Sequence, residues 1–266
     1  MISEKKTAVL AVSFGTSYPA ARKNCIEAIE ASMREAFPDC MHYRAWTSKK
    51  ILAKLKDRDG LHIDNVKEAM ERMVSDGITD VVVQPTHVIN GIENDEMKKD
   101  VLCFSDRFGS IRFGTPLLTS EEDQELVINA IAEEFRSLPS GEALVLMGHG
   151  TTHYANSIYA ALDFRFKDMG YPHIFLGTVE AYPGIDQLLR MVKSYNPSRV
   201  TLAPFMFVAG DHANHDMAGD SPDSWLSQFE NVGFSVRPVL KGLGEYKGIQ
   251  EIFVRHVQEV LNSPIS

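Results

Sequence analysis

Two histidines and a glutamate stand at three strand-to-loop junctions in the second half of the chain. His149 lies between two glycines directly after an apolar run, Glu180 follows the apolar segment 174–179, and His212 comes two residues after Gly210. Two imidazoles and one carboxylate suit a divalent transition metal such as cobalt, iron, nickel or zinc. The residue types therefore predict a metal site that is assembled from separate loops.

Each of these side chains also has a simpler interpretation. His149 could hydrogen-bond a neighbouring loop, Glu180 could cap a helix that begins at Pro183, and His212 could be a solvated loop residue. The sequence taken residue by residue leaves both interpretations open.

Further histidines flank this candidate set. His153 follows His149 by four residues and His215 follows His212 by three, spacings that place each pair on one face of a helix if the segment is helical. Either could join a metal site, although three loops already supply ligands. The histidines without a convergent context are expected to be structural: His42, His62, His173 and His256.

An internal repeat indicates that the site is asymmetric. The segment TAVLAVSFGT near the start corresponds to EALVLMGHGT in the second half, and VVVQPTHVING corresponds to VTLAPFMFVAG. In this alignment Phe14 occupies the position of His149, and Glu93 occupies the position of His212. A duplicated frame whose second copy has gained imidazoles predicts a functional site mainly in that second copy.

Glu93 is a further candidate for chemistry. It lies in the loop NGIENDE, where a carboxylate could accept protons or attract a cation. Alternatively, it is an acidic N-cap of the helix that contains Met97 and Val101, a role that Asn94 or Asp95 could fill equally well.

The elements that position these residues alternate between apolar strands and amphipathic helices. Residues 80–84 form a nearly unbroken apolar run and residues 144–147 a continuous one, a pattern typical of parallel strands that are covered on both faces. Strands that alternate with helices predict an α/β fold of two similar doubly wound lobes, each with a four-stranded parallel sheet. We place the lobes at residues 1–138 and 139–266, with the metal site in the second, because ligands bind beyond the carboxyl ends of such strands.

The composition excludes several classes of protein. A net charge of −9 without a Lys/Arg-rich run argues against a nucleic-acid partner. Three scattered cysteines indicate reduced thiols, and no run approaches the roughly 18 apolar residues of a membrane span. The start of the chain, MISEKKTAVLAVSFG, has no small-residue cleavage site and is expected to be the first strand. We therefore expect a cytoplasmic protein without a membrane partner, and we keep a homo-oligomer as an alternative to a monomer.

Longer motifs carry a family resemblance. The segments LMGHGT, TVEAYPG and PFMFVAGDHANHDM, together with VSFGTS and QPTHVINGIE, resemble the anaerobic cobalt chelatases, the sirohydrochlorin cobaltochelatases of the CbiK type within the class II chelatases. The resemblance spans essentially the whole chain. It implies two α/β lobes related by pseudo-two-fold symmetry, with a tetrapyrrole cleft between them.

The resemblance also implies an activity, namely insertion of Co²⁺ into sirohydrochlorin or a related tetrapyrrole in anaerobic cobalamin biosynthesis. His149, Glu180 and His212 match the residues that hold the metal, and Glu93 resembles an acidic residue of the opposite cleft wall. Two pyrrole protons must leave, and neutral imidazole and Glu93 are suitable acceptors, so His149, His212 and Glu93 are the expected catalytic residues. Fe²⁺, Ni²⁺ or Zn²⁺ could replace Co²⁺ in vitro. The chain lacks a Walker or Rossmann fingerprint, and no organic cofactor is expected.

Three alternatives stay open at this point. The chain could be an iron or nickel chelatase that acts on the same or a related ring, or a non-catalytic carrier of a tetrapyrrole or metal. A zinc hydrolase built on two histidines and a glutamate also fits the ligand types.

Overall fold

Two four-stranded parallel sheets organise the computed structural model, which describes residues 6–264. The first sheet consists of β1 (Thr7–Ser13), β2 (Met41–Trp46), β3 (Asp80–Pro85) and β4 (Ser110–Phe113). The second consists of β5 (Ala143–Gly148), β6 (Ile174–Thr178), β7 (Val200–Phe205) and β8 (Val236–Pro238). The strand orders, β2-β1-β3-β4 and β6-β5-β7-β8, are the same arrangement repeated, so the predicted α/β class with two parallel sheets is confirmed.

Helices follow the strands in both halves. Those up to the second sheet are α1 (Pro19–Ala21), α2 (Ala28–Ala36), α3 (Lys49–Asp59), α4 (Val66–Ser75), α5 (Ile92–Leu102) and α6 (Glu121–Glu134). Those that follow are α7 (Ser157–Asp168), α8 (Ile185–Tyr195), α9 (Trp225–Asn231) and α10 (Lys247–Asn262). A π-helical turn, Arg22–Glu27, joins α1 to α2, and a second, Ala213–Met217, follows β7. The first strand lies where the sequence predicted it, while the charged start of that segment, residues 1–5, lies outside the described residues.

The strands that carry the candidate ligands are buried along their whole length. All six residues of β5 and of β7, and all five of β6, are buried. On one face of this sheet the apolar side chains of β5 and β7 pack against Leu188 and Val192 of α8 and Trp225 and Phe229 of α9. Burial on this scale fixes the register, so the loops at the carboxyl ends of the strands start from a rigid base.

The chain divides into two compact units, and each unit includes one helix that lies in the other half of the sequence. Residues 6–119 and 248–264 form the first unit, and residues 120–247 form the second. This grouping differs from the boundary at 138/139 that the sequence suggested. The first unit includes α10, and the second includes α6.

Hydrogen bonds explain why α10 groups with the first sheet. Arg112 of β4 donates to the carbonyl of Val260 at 2.5 Å, and His256 lies 3.0 Å from the carbonyl of Thr115. These contacts join residues more than 140 positions apart. The alternation of strands and helices along the sequence does not predict such contacts.

A corresponding set of contacts holds α6 in the second unit. Arg165 of α7 donates to Gln124 at 2.8 Å and forms an ion pair with Glu125 at the same distance. Lys241 pairs with Glu134 at the other end of α6 at 2.5 Å. Both ends of α6 are therefore fixed to the second unit.

In the part of the chain that the structure describes, no helix combines the length and the apolar character that a membrane span requires.

Candidate metal site

The three predicted ligands lie together at the carboxyl edge of the second sheet. His149 follows β5 directly, Glu180 comes two residues after β6, and His212 follows the β7 loop as the N-cap of the π-helical turn. Because β5 is the neighbour of both β6 and β7, the loops that leave these three strands emerge side by side.

Backbone hydrogen bonds extend the pairing of β5 with β6 into these loops. The N–H of Val179 donates to the carbonyl of Gly148, and the N–H of Glu180 donates to the carbonyl of His149, both at 2.9 Å. Glu180 is therefore held beside His149 by the main chain as well as by its side chain.

Gly150 allows the loop after β5 to approach the loop after β6. Its φ is +88°, a conformation that L-amino acids rarely adopt, and a Cβ there would lie 2.9 Å from the backbone nitrogen of Ala181. The second glycine of the GHGT motif thus serves the close contact between the two loops that carry His149 and Glu180.

Distances within the group suit a single cation. Nδ1 of His149 lies 3.5 Å from Oε2 of Glu180, and Nε2 of His212 lies 3.9 Å from Oε1 of the same carboxylate. One ligand atom from each residue lies within 4.8 Å of the other two. Ligand atoms about 2.1 Å from a tetrahedral metal are about 3.4 Å apart, so small side-chain movements would complete the coordination.

Hydrogen bonds define the same tautomer for both imidazoles. Nδ1 of His149 lies 2.8 Å from the carbonyl oxygen of Gly150, and Nδ1 of His212 lies 2.6 Å from Oδ2 of Asp216. Both oxygens can only accept, so each Nδ1 carries the proton. Each Nε2 then keeps the lone pair that metal coordination requires. The 3.5 Å separation from Glu180 belongs to Nδ1 of His149, so the His149 ring has to turn for its Nε2 to coordinate a shared cation.

The group is partly open to solvent. The side chains of His149, Glu180 and His212 are 44%, 53% and 32% exposed. A cation held here would be accessible to a second, larger ligand, unlike one in a closed structural site.

The helix-capping alternative for Glu180 is wrong. Helix α8 begins at Ile185, its N-cap is Gly184, and the side chain of Gln187 accepts the Gly184 N–H at 2.9 Å. Glu180 lies outside this cap and faces the two imidazoles.

The flanking histidines do not belong to this group of three. The side chain of His153 accepts the N–H of Ala155 and caps a short 3₁₀ turn. His215 lies 3.6 Å from Asp211 in an exposed pair. These contacts give both residues a local role.

Glu93 lies in the first unit, in the first turn of α5, and is exposed. The N-cap of α5 is Gly91, so Glu93 is not the cap. Its charge acts on the buried His87, whose pKa is lowered to about 4 by burial, an effect that Glu93 partly opposes. Its part in catalysis stays a prediction.

A second group with metal-ligand chemistry, which the sequence analysis missed, lies in the first unit at the start of α4. It consists of His62, Asp64 and Glu68. Arg72 already binds Asp64 at 2.8 Å, and Glu68 accepts the N–H of Asn65 in a capping box. The H-x-D-x₃-E spacing is the sequence signal for this group, but its acidic side chains already have partners.

Comparison with protein families gives a match over nearly the whole chain. The model of the family "Cobalt chelatase (CbiK)" matches residues 7–262. The chain belongs to the CbiK family of cobalt chelatases. This CbiK-family chain is 38% identical, over 98% of both sequences, to a sirohydrochlorin cobaltochelatase of Salmonella typhimurium. It is 32% identical to the sirohydrochlorin cobaltochelatase CbiKC of Nitratidesulfovibrio vulgaris, over 97% of this chain and 92% of that one.

Two solved structures have the same fold. SirB from Bacillus subtilis, solved with Fe³⁺, has a TM-score of 0.69 at 13% identity and covers 97% of the CbiK-family chain and 96% of its own. CbiX, described as the terminal enzyme of siroheme biosynthesis in denitrifying bacteria, has a TM-score of 0.56 at 17% identity, with 96% and 100% covered. At these identities the likeness shows the fold alone.

Proposed function

We propose that the protein inserts Co²⁺ into sirohydrochlorin, the reaction named for its two CbiK relatives, as a step of anaerobic cobalamin biosynthesis. The observation that carries the proposal is the convergence of His149, Glu180 and His212 at one half-exposed edge of a sheet. The relatives do not favour the alternatives, which are an iron or nickel chelatase, a passive carrier and a zinc hydrolase.

In the proposed reaction Co²⁺ is a substrate that the protein holds and then releases. His149 and His212 coordinate it through Nε2, and Glu180 supplies an oxygen that lowers the net charge of the cation. As Co²⁺ moves to the macrocycle, its bonds to the protein break and bonds to the pyrrole nitrogens form. Two pyrrole N–H bonds break, and both protons must reach bases.

The metal ligands can serve as bases after the metal has left. Nε2 of His149 regains a lone pair at that moment, which makes it a suitable acceptor for one pyrrole proton. We assign the second proton to Glu93, whose match to the family's acidic residue is the reason for the assignment. Exchange with water then returns both protons to solvent.

The test is the spectral conversion of sirohydrochlorin when Co²⁺ is added to the purified protein. We expect conversion faster than the background without protein, and faster with Co²⁺ than with Fe²⁺, Ni²⁺ or Zn²⁺. The variant His212→Ala should lower the catalysed rate by at least about 100-fold. Mutation of a group that only hydrogen-bonds a metal ligand already lowers metal affinity or activity by about 10–100-fold.

His215→Ala is the matched control, because His215 is an exposed histidine three residues away that does not join the ligand group. It should keep the wild-type rate. A wild-type rate in His212→Ala, or a protein that binds Co²⁺ and sirohydrochlorin without accelerating conversion, would refute the proposed function.

A further inference from the structure

The two imidazoles of the proposed cobalt site differ in the acceptor behind them. Nδ1 of His149 donates to a neutral carbonyl, whereas Nδ1 of His212 donates to the carboxylate of Asp216 at 2.6 Å. Asp216 follows His212 by four residues on the π-helical turn Ala213–Met217. Both rings also lie near the shared Glu180, so what distinguishes His212 is a second carboxylate, that of Asp216, at its Nδ1.

Helix stability does not account for Asp216 at this position. Its side chain is 47% exposed, and an exposed ion pair with histidine adds little to stability. The short, directed hydrogen bond to Nδ1 calls for another explanation.

The geometry relates Asp216 to metal binding. Asp216 contacts Nδ1, while Nε2 of the same ring faces Glu180 at 3.9 Å. The carboxylate therefore approaches the side of the ring that faces away from Glu180 and the proposed metal position. A carboxylate that accepts the second N–H of a ligating histidine fixes its tautomer and orientation and makes it a stronger ligand.

We propose that Asp216 is a positioning residue that orients His212 and strengthens it as the ligand that retains Co²⁺ before transfer. This inference rests on the proposed function for the identity of the metal. It adds a residue that acts through His212 and does not itself touch the cation.

The test compares Asp216→Ala and Asp216→Asn with the wild-type protein at one fixed pH. Calorimetric titration with Co²⁺ alone, without tetrapyrrole, should show 10–100-fold weaker binding for Asp216→Ala. The Co²⁺ affinity of Asp216→Asn should lie between those of the wild type and Asp216→Ala, because its amide oxygen still accepts a hydrogen bond but carries no charge. It also preserves side-chain shape and serves if the alanine variant fails to fold.

A spectroscopic measurement separates positioning from a general structural effect. In the metal-free protein, ¹⁵N chemical shifts of the His212 ring should report one dominant tautomer, protonated at Nδ1. In Asp216→Ala they should report a mixture, while the far-ultraviolet circular dichroism stays unchanged.

Asp211→Asn is the matched control, since Asp211 is also an exposed aspartate paired with a histidine four residues away. It should leave both the Co²⁺ affinity and the His212 shifts as in the wild type. Wild-type Co²⁺ affinity or an unchanged tautomer in Asp216→Ala would overturn the inference, whatever the chelatase rate. Loss of turnover in His212→Ala alongside those results would leave the proposed function intact, so the two failures are distinguishable.

Discussion

The proposed ligands have recognisable counterparts in the first sheet, and the counterparts have different chemistry. The N–H of Ser48 donates to the carbonyl of Phe14 at 3.1 Å, as the N–H of Glu180 donates to that of His149. Phe14 cannot bind a metal, and the Ser48 hydroxyl accepts the N–H of Ile51 as the N-cap of α3. One backbone arrangement therefore supports a ligand set in the second unit only.

If Glu93 accepts a proton in the reaction, its removal should affect turnover and not metal binding. We expect Glu93→Gln to lower kcat by about 100-fold, a typical contribution of general acid-base catalysis, with the Co²⁺ dissociation constant unchanged. Steady-state kinetics and Co²⁺ titration provide the two readouts. Glu96→Gln, an exposed carboxylate in the same helix, is the control and should keep wild-type kcat; equal values for both variants would exclude a catalytic role for Glu93.

The buried His87 predicts a pH dependence of the first unit's stability. Its pKa falls to about 4 because burial disfavours the charged ring. A folded-state pKa below the unfolded value of about 6.5 means that the unfolded state binds the extra proton between these values. The neutral His87 ring therefore contributes its full share to the stability of the fold above about pH 6.5, and this contribution is lost as the pH falls toward 4. Between pH 7 and 5 we expect a loss of about 2 kcal/mol of unfolding free energy.

Urea unfolding of a Trp225→Phe variant measures this effect, because Trp46 then reports on the first unit alone. Adding His87→Gln should remove about 2 kcal/mol of the difference between pH 7 and 5. If the unfolding free energy changes by the same amount between pH 7 and 5 with and without His87, the imidazole of His87 is not the titrating group.

At the scale of elements, the loop after β5 depends on Gly150. Gly150→Ala places a Cβ 2.9 Å from a backbone atom at a φ of +88°, so the loops that carry His149 and Glu180 must separate. We expect at least tenfold weaker Co²⁺ binding by titration. Gly170→Ala is the control, with a φ of +90° but no atom within 4 Å of the new Cβ. It should cost about 1–2 kcal/mol of stability and leave Co²⁺ binding intact; equal Co²⁺ affinities in the two variants would contradict the close-contact argument.

The sequence predicts strands better than helices in this chain, for a physical reason. Strands such as β5, indicated by the apolar run at residues 144–147, are detectable because both of their faces are covered by apolar neighbours. Helix α3 is missed because only Leu55 among its eleven residues is buried, which leaves little apolar periodicity to detect. The π-helical turn that carries Asp216 is set by local packing and has no periodic signal, so the partner of His212 also goes unpredicted.

The whole molecule is organised by contacts that are remote in sequence. The sequence places the candidate ligands correctly at strand ends because parallel strands bring their carboxyl ends to one edge. The contacts group α6 with the second unit and α10 with the first, unlike the sequence boundary at 138/139, because the side chains that hold these helices lie far away along the chain.

This organisation predicts which fragments fold. A fragment of residues 120–247 contains every element of the second unit, and we expect it to unfold cooperatively and to bind Co²⁺. A fragment of residues 139–266 lacks α6 and exposes the apolar face of α10, so it should aggregate. Circular dichroism melts and light scattering check both expectations; a well-folded 139–266 and an unfolded 120–247 would contradict the grouping. The residues of α10 that would be exposed are Ile249, Ile252, Phe253 and Val257.

The central claim is that one cobalt ion binds to His149, Glu180 and His212. The most direct measurement is an anomalous difference map at the cobalt edge from crystals soaked in Co²⁺ without tetrapyrrole. We predict the strongest peak about 2.1 Å from one atom of each of these three side chains, the distance typical of imidazole and carboxylate ligands on zinc. A map without a peak there, or with its main peak at His62, Asp64 and Glu68, would contradict the claim.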